Sequence, residues 1–147
     1  MDEDDLVREL FWFTCAAATA VGLVGGLLTS VAGRWADEGR LIRLRQLGPL
    51  VWGEALLSDG LQRFRGYAWG GRTVLYRRDY GQEHLMSLGF SAEQAQVVAG
   101  RVTGHFELRR VDSGLAGTFV GRRFRLENDR LRDQAAAAPV PRAWQRA

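Results

Sequence analysis

Two stretches carry the residue types best suited to chemistry: residues 66–79, GYAWGGRTVLYRRD, and residues 117–129, GTFVGRRFRLEND. Glycine beside arginine can cradle an anion, because exposed backbone N–H groups and the forked guanidinium both donate to phosphate or carboxylate. A phosphate cradle also wants a helix opening directly after its glycines, and here an alternating, strand-like pattern follows instead. The stretches match each other as well: Gly66 with Gly117, Gly70 with Gly121, Asp79 with Asp129. That duplication predicts two copies of one antiparallel unit, with glycine at the turn and arginine on the solvent side.

Arg72, Arg77, Arg78, Arg109, Arg122, Arg123 and Arg125 are the candidate contacts for an anion or a partner, with Arg63, Arg65 and Arg110 nearby on the same strands. A cationic sheet suits phosphate-bearing partners, among them a nucleotide or anionic lipid headgroups. Sheets that bind RNA also display aromatic rings. Trp52, Phe64, Trp69 and Tyr76 have the right chemistry, but a small core competes for the same residues, so nucleic acid is the less expected partner.

All 20 basic residues are arginine, and the net charge is +3. With no lysine there is no amine for a Schiff base or a lysine-dependent phosphate loop. Cys15 is the only cysteine, and His84 and His105 stand alone, so neither a disulfide nor a zinc-type ligand spacing is present. No nucleophile stands beside a base and no carboxylate pair stands out. The expectation is therefore a protein that is not an enzyme, with no catalytic residue, metal or cofactor.

The elements that would position these arginines begin with an apolar run. Leu10 to Gly33 is 24 residues without a charge, long enough as a helix to cross a hydrocarbon core of about 30 Å. An acidic tail, residues 1–9, precedes it. Trp12 and Trp35 flank it, and Arg34, Arg40, Arg43 and Arg45 follow. The aromatic flanks and the positive-inside rule predict a single-pass helix of the inner (plasma) membrane of a bacterium, with the N-terminus outside and the rest cytoplasmic. Within it Ala18, Gly22, Gly26 and Ser30 recur every fourth residue, a small-residue face suited to packing against its own copy or another membrane subunit. Residues 34–48 read as a basic juxtamembrane linker.

From Pro49 the period becomes two. Residues 49–79 predict a three-stranded meander with turns at Ser58–Gly60 and Gly70–Gly71. Residues 101–129 predict a second such meander. Between them QEHLMSL reads as a short helix, and SAEQ, Ser91 to Gln94, as a capping box that opens another. Residues 131–147 read as a flexible tail.

The expected fold class is thus an α+β membrane protein: one transmembrane helix, then a mostly antiparallel β domain over 49–130, barrel- or sandwich-like, with six strands around a helical segment. The expected function is an accessory or scaffolding subunit of a membrane-protein complex. The alternative is a membrane-tethered binding module for an anionic ligand. No motif assigns the chain to a family.

Overall fold

The computed structural model describes residues 16, 17, 20, 30–128, 130–133 and 136–147. Five strands come first: β1 (Gly33–Asp37), β2 (Arg40–Leu47), β3 (Leu50–Leu56), β4 (Leu61–Trp69) and β5 (Arg72–Tyr80). Two helices follow, α1 (Gln82–Ser87) and α2 (Ala92–Val98). Then come β6 (Val102–Val111), β7 (Gly114–Gly121), β8 (Phe124–Glu127), β9 (Arg130–Asp133) and β10 (Val140–Arg146). Eight strands close into a barrel in the order β1-β10-β7-β6-β5-β4-β3-β2, while β8 and β9 form a separate hairpin. Every neighbouring pair is antiparallel.

Short turns set this order. Glu38–Gly39 and Gly70–Gly71 join adjacent strands, all four residues with positive φ, which matches the twist of two-residue hairpins. Between turns the side chains alternate. On β2, Ile42 and Leu44 are buried while Leu41, Arg43 and Arg45 are exposed. An eight-stranded barrel is just wide enough to be filled by side chains. Here Trp35, Phe64, Leu75, Phe106, Leu108, Leu115 and Trp144 fill it. Phe106 lies 4.6 Å from Phe119, 5.0 Å from Trp144 and 6.1 Å from Phe64, centroid to centroid, and all three contacts are tilted or edge-on, as ring quadrupoles favour.

The duplicated glycines have a structural use. A Cβ on Gly66 would collide with the Val74 carbonyl oxygen, and one on Gly117 with that of Glu107. Each glycine lets its strand press against the next where the sheet curls to close.

A second, smaller cluster lies outside the barrel. Leu85, Ala95 and Val98 of the helices pack with Phe90, Phe124 and Leu131, so the β8–β9 hairpin and the helices hold each other. The capping box forms as the sequence predicts: the Ser91 hydroxyl accepts from the Gln94 amide, and the Gln94 side chain accepts from the Ser91 amide.

This fold corrects the expected class. Most of the predicted span over 10–33 lies outside the described residues, as do Trp12, Gly22, Gly26 and Ala18. Its end is described and is not helix: Ser30 to Ala32 are irregular, Val31 is buried in the barrel core, and Gly33 opens β1. Among the described residues no helix is long and apolar enough to cross a membrane. An α+β membrane protein placed by a single inner-membrane helix, N-terminus outside, is therefore replaced by an antiparallel barrel with two short helices. The membrane-anchor and single-pass descriptions go with it.

Three elements differ besides. The stretch expected as a linker forms β1 and β2, whose in–out alternation is that of a strand. The stretch expected as a tail contains β10, which pairs with both β1 and β7. Residues 124–127 do form a strand, but they pair with β9 rather than β7, so the second meander keeps two strands in the barrel and loses its third.

Phe106→Ala is expected to destabilise the protein by about 3–5 kcal/mol, seen as a lower urea midpoint, whereas Trp69→Ala at the surface costs well under that. Deleting residues 140–147 is expected to abolish cooperative unfolding, because it opens the barrel. A cooperative transition retained after that deletion would contradict the closure.

Candidate functional site

One end of the barrel interior is polar. Asp79 is fully buried and accepts from Gln62 Nε2 at 2.7 Å, from Arg77 Nε at 3.0 Å and from the Thr103 hydroxyl. His84 of α1 reaches the same carboxylate through Nε2 at 2.8 Å and lies 3.4 Å from Asp59 through Nδ1. Arg77 lies over Phe119, its guanidinium carbon 4.3 Å from the ring centroid. Beside this group Arg40 donates to Asp37 at 2.9 Å and to Gln62 at 3.3 Å, and Arg142 pairs with Glu38. Burial alone would raise the Asp79 pKa, but the Arg77 charge and the bonds from Thr103, His84 and Gln62 hold it below the ordinary carboxylate value. Asp37 goes the other way: burial raises it, and Arg40 and Arg142 only partly offset that. Asp79 and its partners satisfy one another and tie α1 to the barrel end, whereas Asp37 Oδ1 and Arg142 Nε are buried without a hydrogen bond among the described residues.

The outer wall is different in kind. Strand register places Arg45, Trp52, Arg65, Tyr76 and His105 side by side across β2, β3, β4, β5 and β6. Two residues along each strand, Arg43, Glu54, Arg63 and Arg78 form a parallel row. All of these except the half-buried His105 are exposed. Arg43, Arg45, Trp52, Glu54, Arg63 and Arg65 surround an open depression of about 210 Å³. Gly53 lines it between Trp52 and Glu54, and a Cβ there would strike the Arg43 carbonyl oxygen.

Arg43, Arg45 and Arg65 have no ion pair among the described residues, and Arg63 is engaged only with the Tyr80 ring, 5.3 Å away. The β8–β9 hairpin shows the opposite habit, with Glu127 lying 3.4 Å from Arg125 and 3.5 Å from Arg132.

The candidate contacts named from sequence scatter accordingly. Arg77 is inside the barrel. Arg72 is exposed and paired with Glu107 at 3.0 Å, with Arg109 opposite it in register. Arg78 donates to the Gly100 carbonyl at 3.0 Å. Arg122 lies 3.6 Å from Asp133, and Arg122, Arg123 and Arg125 sit with the hairpin, away from the wall. Of the residues expected at a membrane interface, Trp35 is core, Arg40 belongs to the polar end, Arg34 is exposed on β1, and Arg43 and Arg45 stand on the wall. Ser30 offers its carbonyl to Arg110.

The structure thus brings together four arginines, Arg43, Arg45, Arg63 and Arg65, that the sequence divides between two segments. The signal that joins them is the period of two in RLIRLRQL, residues 40–47, which makes that segment a strand of the same sheet.

An up-and-down barrel with a filled interior and a cationic outer wall is the class these features define. No protein family, no curated protein and no solved structure matches the chain.

The opposed shifts of Asp79 and Asp37 predict different pH responses. Asp79 is depressed, so its contribution is present above the ordinary carboxylate pKa and is lost as pH falls through its folded value. Asp37 is raised, so its ionisation costs stability as pH rises from the ordinary value through the folded one. Asp79→Asn, which strands the buried Arg77, is expected to cost about 3–5 kcal/mol at neutral pH and less in acid. Asp37→Asn is expected to cost less than Asp79→Asn at neutral pH. Urea midpoints at neutral and acid pH measure both, and equal costs at neutral pH would contradict the assignment.

Proposed function

We propose that the barrel is a binding module that holds an anionic partner on its outer wall, with Arg43, Arg45, Arg63 and Arg65 as the contacts. The observation that carries this reading is that these four cations ring one depression whose single carboxylate is Glu54, and that Arg43, Arg45 and Arg65 form no ion pair among the described residues. Four cations around one carboxylate, Glu54, leave a net positive depression whose like charges repel one another, whereas the β8–β9 hairpin pairs its charges more fully. Guanidinium groups also suit a phosphate or carboxylate ligand, because each offers paired donors in a plane.

The filled interior supports an outside site as well. Trp35, Trp144, Phe64 and Phe106 occupy the space in which a roomier barrel would hold a small molecule.

Inorganic polyphosphate is a suitable first probe, since it carries charge and nothing else. Binding is expected to weaken linearly in a log–log plot against salt, and each of Arg43→Ala and Arg65→Ala is expected to lower the slope by about 1. Arg122→Ala and Arg125→Ala, on the hairpin side, are expected to leave it unchanged. Polyphosphate binding that is absent, or that the hairpin variants weaken as much as the wall variants, would refute the reading.

A further inference from the structure

We propose that the partner of this wall is single-stranded nucleic acid, with bases stacked on Trp52 and Tyr76 and phosphates held by the arginines beside them. The proposal rests on the anion-binding reading above and adds a base-stacking component that polyphosphate lacks. Trp52 and Tyr76 are each 40% exposed. The barrel interior has its own aromatic set in Trp35, Phe64, Phe106, Phe119 and Trp144, so the wall rings contribute nothing to the core that would explain them.

Their placement names the contact. In the row Arg45–Trp52–Arg65–Tyr76–His105, cation and ring alternate strand by strand, and the row contains no carboxylate. Strands lie about 4.8 Å apart, so the two rings are separated by about 9.6 Å with Arg65 between them. The His105 ring continues the row, 5.8 Å from that of Tyr76. Arg43, Glu54, Arg63 and Arg78 run alongside at two residues' rise, about 6.8 Å, a second line with three cations to one carboxylate.

A track of aromatic faces beside a track of guanidinium groups is the arrangement that binds unpaired bases and their backbone together. A duplex hides its base faces within its own stack, so it can use only the charged track. The depression at Gly53 opens between the two tracks, beside Trp52. Because a ring face accepts any base, the expected binding is tolerant of sequence.

The test uses the full chain and four probes of graded chemistry: labelled oligo(dT), a duplex of the same length, polyphosphate and vesicles of anionic lipid. Oligo(dT) is expected to bind tightest and to quench tryptophan fluorescence. Trp52→Ala and Tyr76→Ala are each expected to weaken oligo(dT) about 5- to 100-fold while leaving polyphosphate unchanged, and Trp52→Phe is expected to recover most of the loss. If oligo(dT) binds no better than duplex or polyphosphate, if the ring variants leave it unaffected, or if lipid vesicles bind more tightly, stacking is overturned and the anion-binding reading stands. If none of the probes binds, both fall.

Discussion

The pairing of β10 with β1 on one side and β7 on the other is what closes the sheet, and closure governs everything else in the molecule. An open sheet could bury both faces by layering. A closed one has a single inside, so each strand must commit alternate residues to a fixed volume and present the rest to the outside. Trp35, Phe64, Phe106 and Trp144 occupy the middle of that volume. Glycines at 66 and 117 supply the close strand approaches that curl the sheet around them.

Closure also explains why arginine serves two unlike purposes here. Arg77 and Arg78 are neighbours on β5, and the pleat sends one in and the other out. The inward one needs a complete set of partners, because a buried charge left unpaired is costly. Asp79 supplies the counter-charge, and Thr103, Gln62 and His84 satisfy the carboxylate's remaining capacity. Outside, Arg43, Arg45 and Arg65 are hydrated and can stand without a counter-charge. A cation that structure does not require is free to meet something else, so the lack of ion pairs at these three side chains among the described residues carries more weight than the number of arginines in the chain.

Much of the barrel was legible. The Gly70–Gly71 turn, the strands β3 to β6 and the capping box at Ser91 each rest on local chemistry that the structure reproduces. Failures came where a local pattern had two explanations. Val31 and Trp35 are as apolar as a membrane flank would be, and only the long-range pairing of β1 with β10 shows them to be core. Arg40, Arg43 and Arg45 look like charges that set membrane topology until Ile42 and Leu44 between them are seen facing inward. In β10, VPRAWQR offers one large apolar residue and a proline, so no periodicity announces it, and partners distant in sequence define it. The internal echo misled for a related reason: Gly117 does repeat the packing of Gly66, but resemblance of the following strand says nothing about which neighbour it will choose.

The candidate wall was half visible for the same reason. Seven arginines drew attention by number, and the structure removes one to the interior and three to the hairpin side. What sequence alone could not divide was the aromatic set. Phe64 and Arg65 are adjacent on β4, yet Phe64 is core and Arg65 is wall. Core demand for aromatics counts against nucleic acid. It holds for Phe64 and fails for Trp52, Trp69 and Tyr76, which the pleat places outside. Once the interior is full, the rings that remain on the surface stand in register with Arg45 and Arg65, which makes ring and charge one surface rather than two.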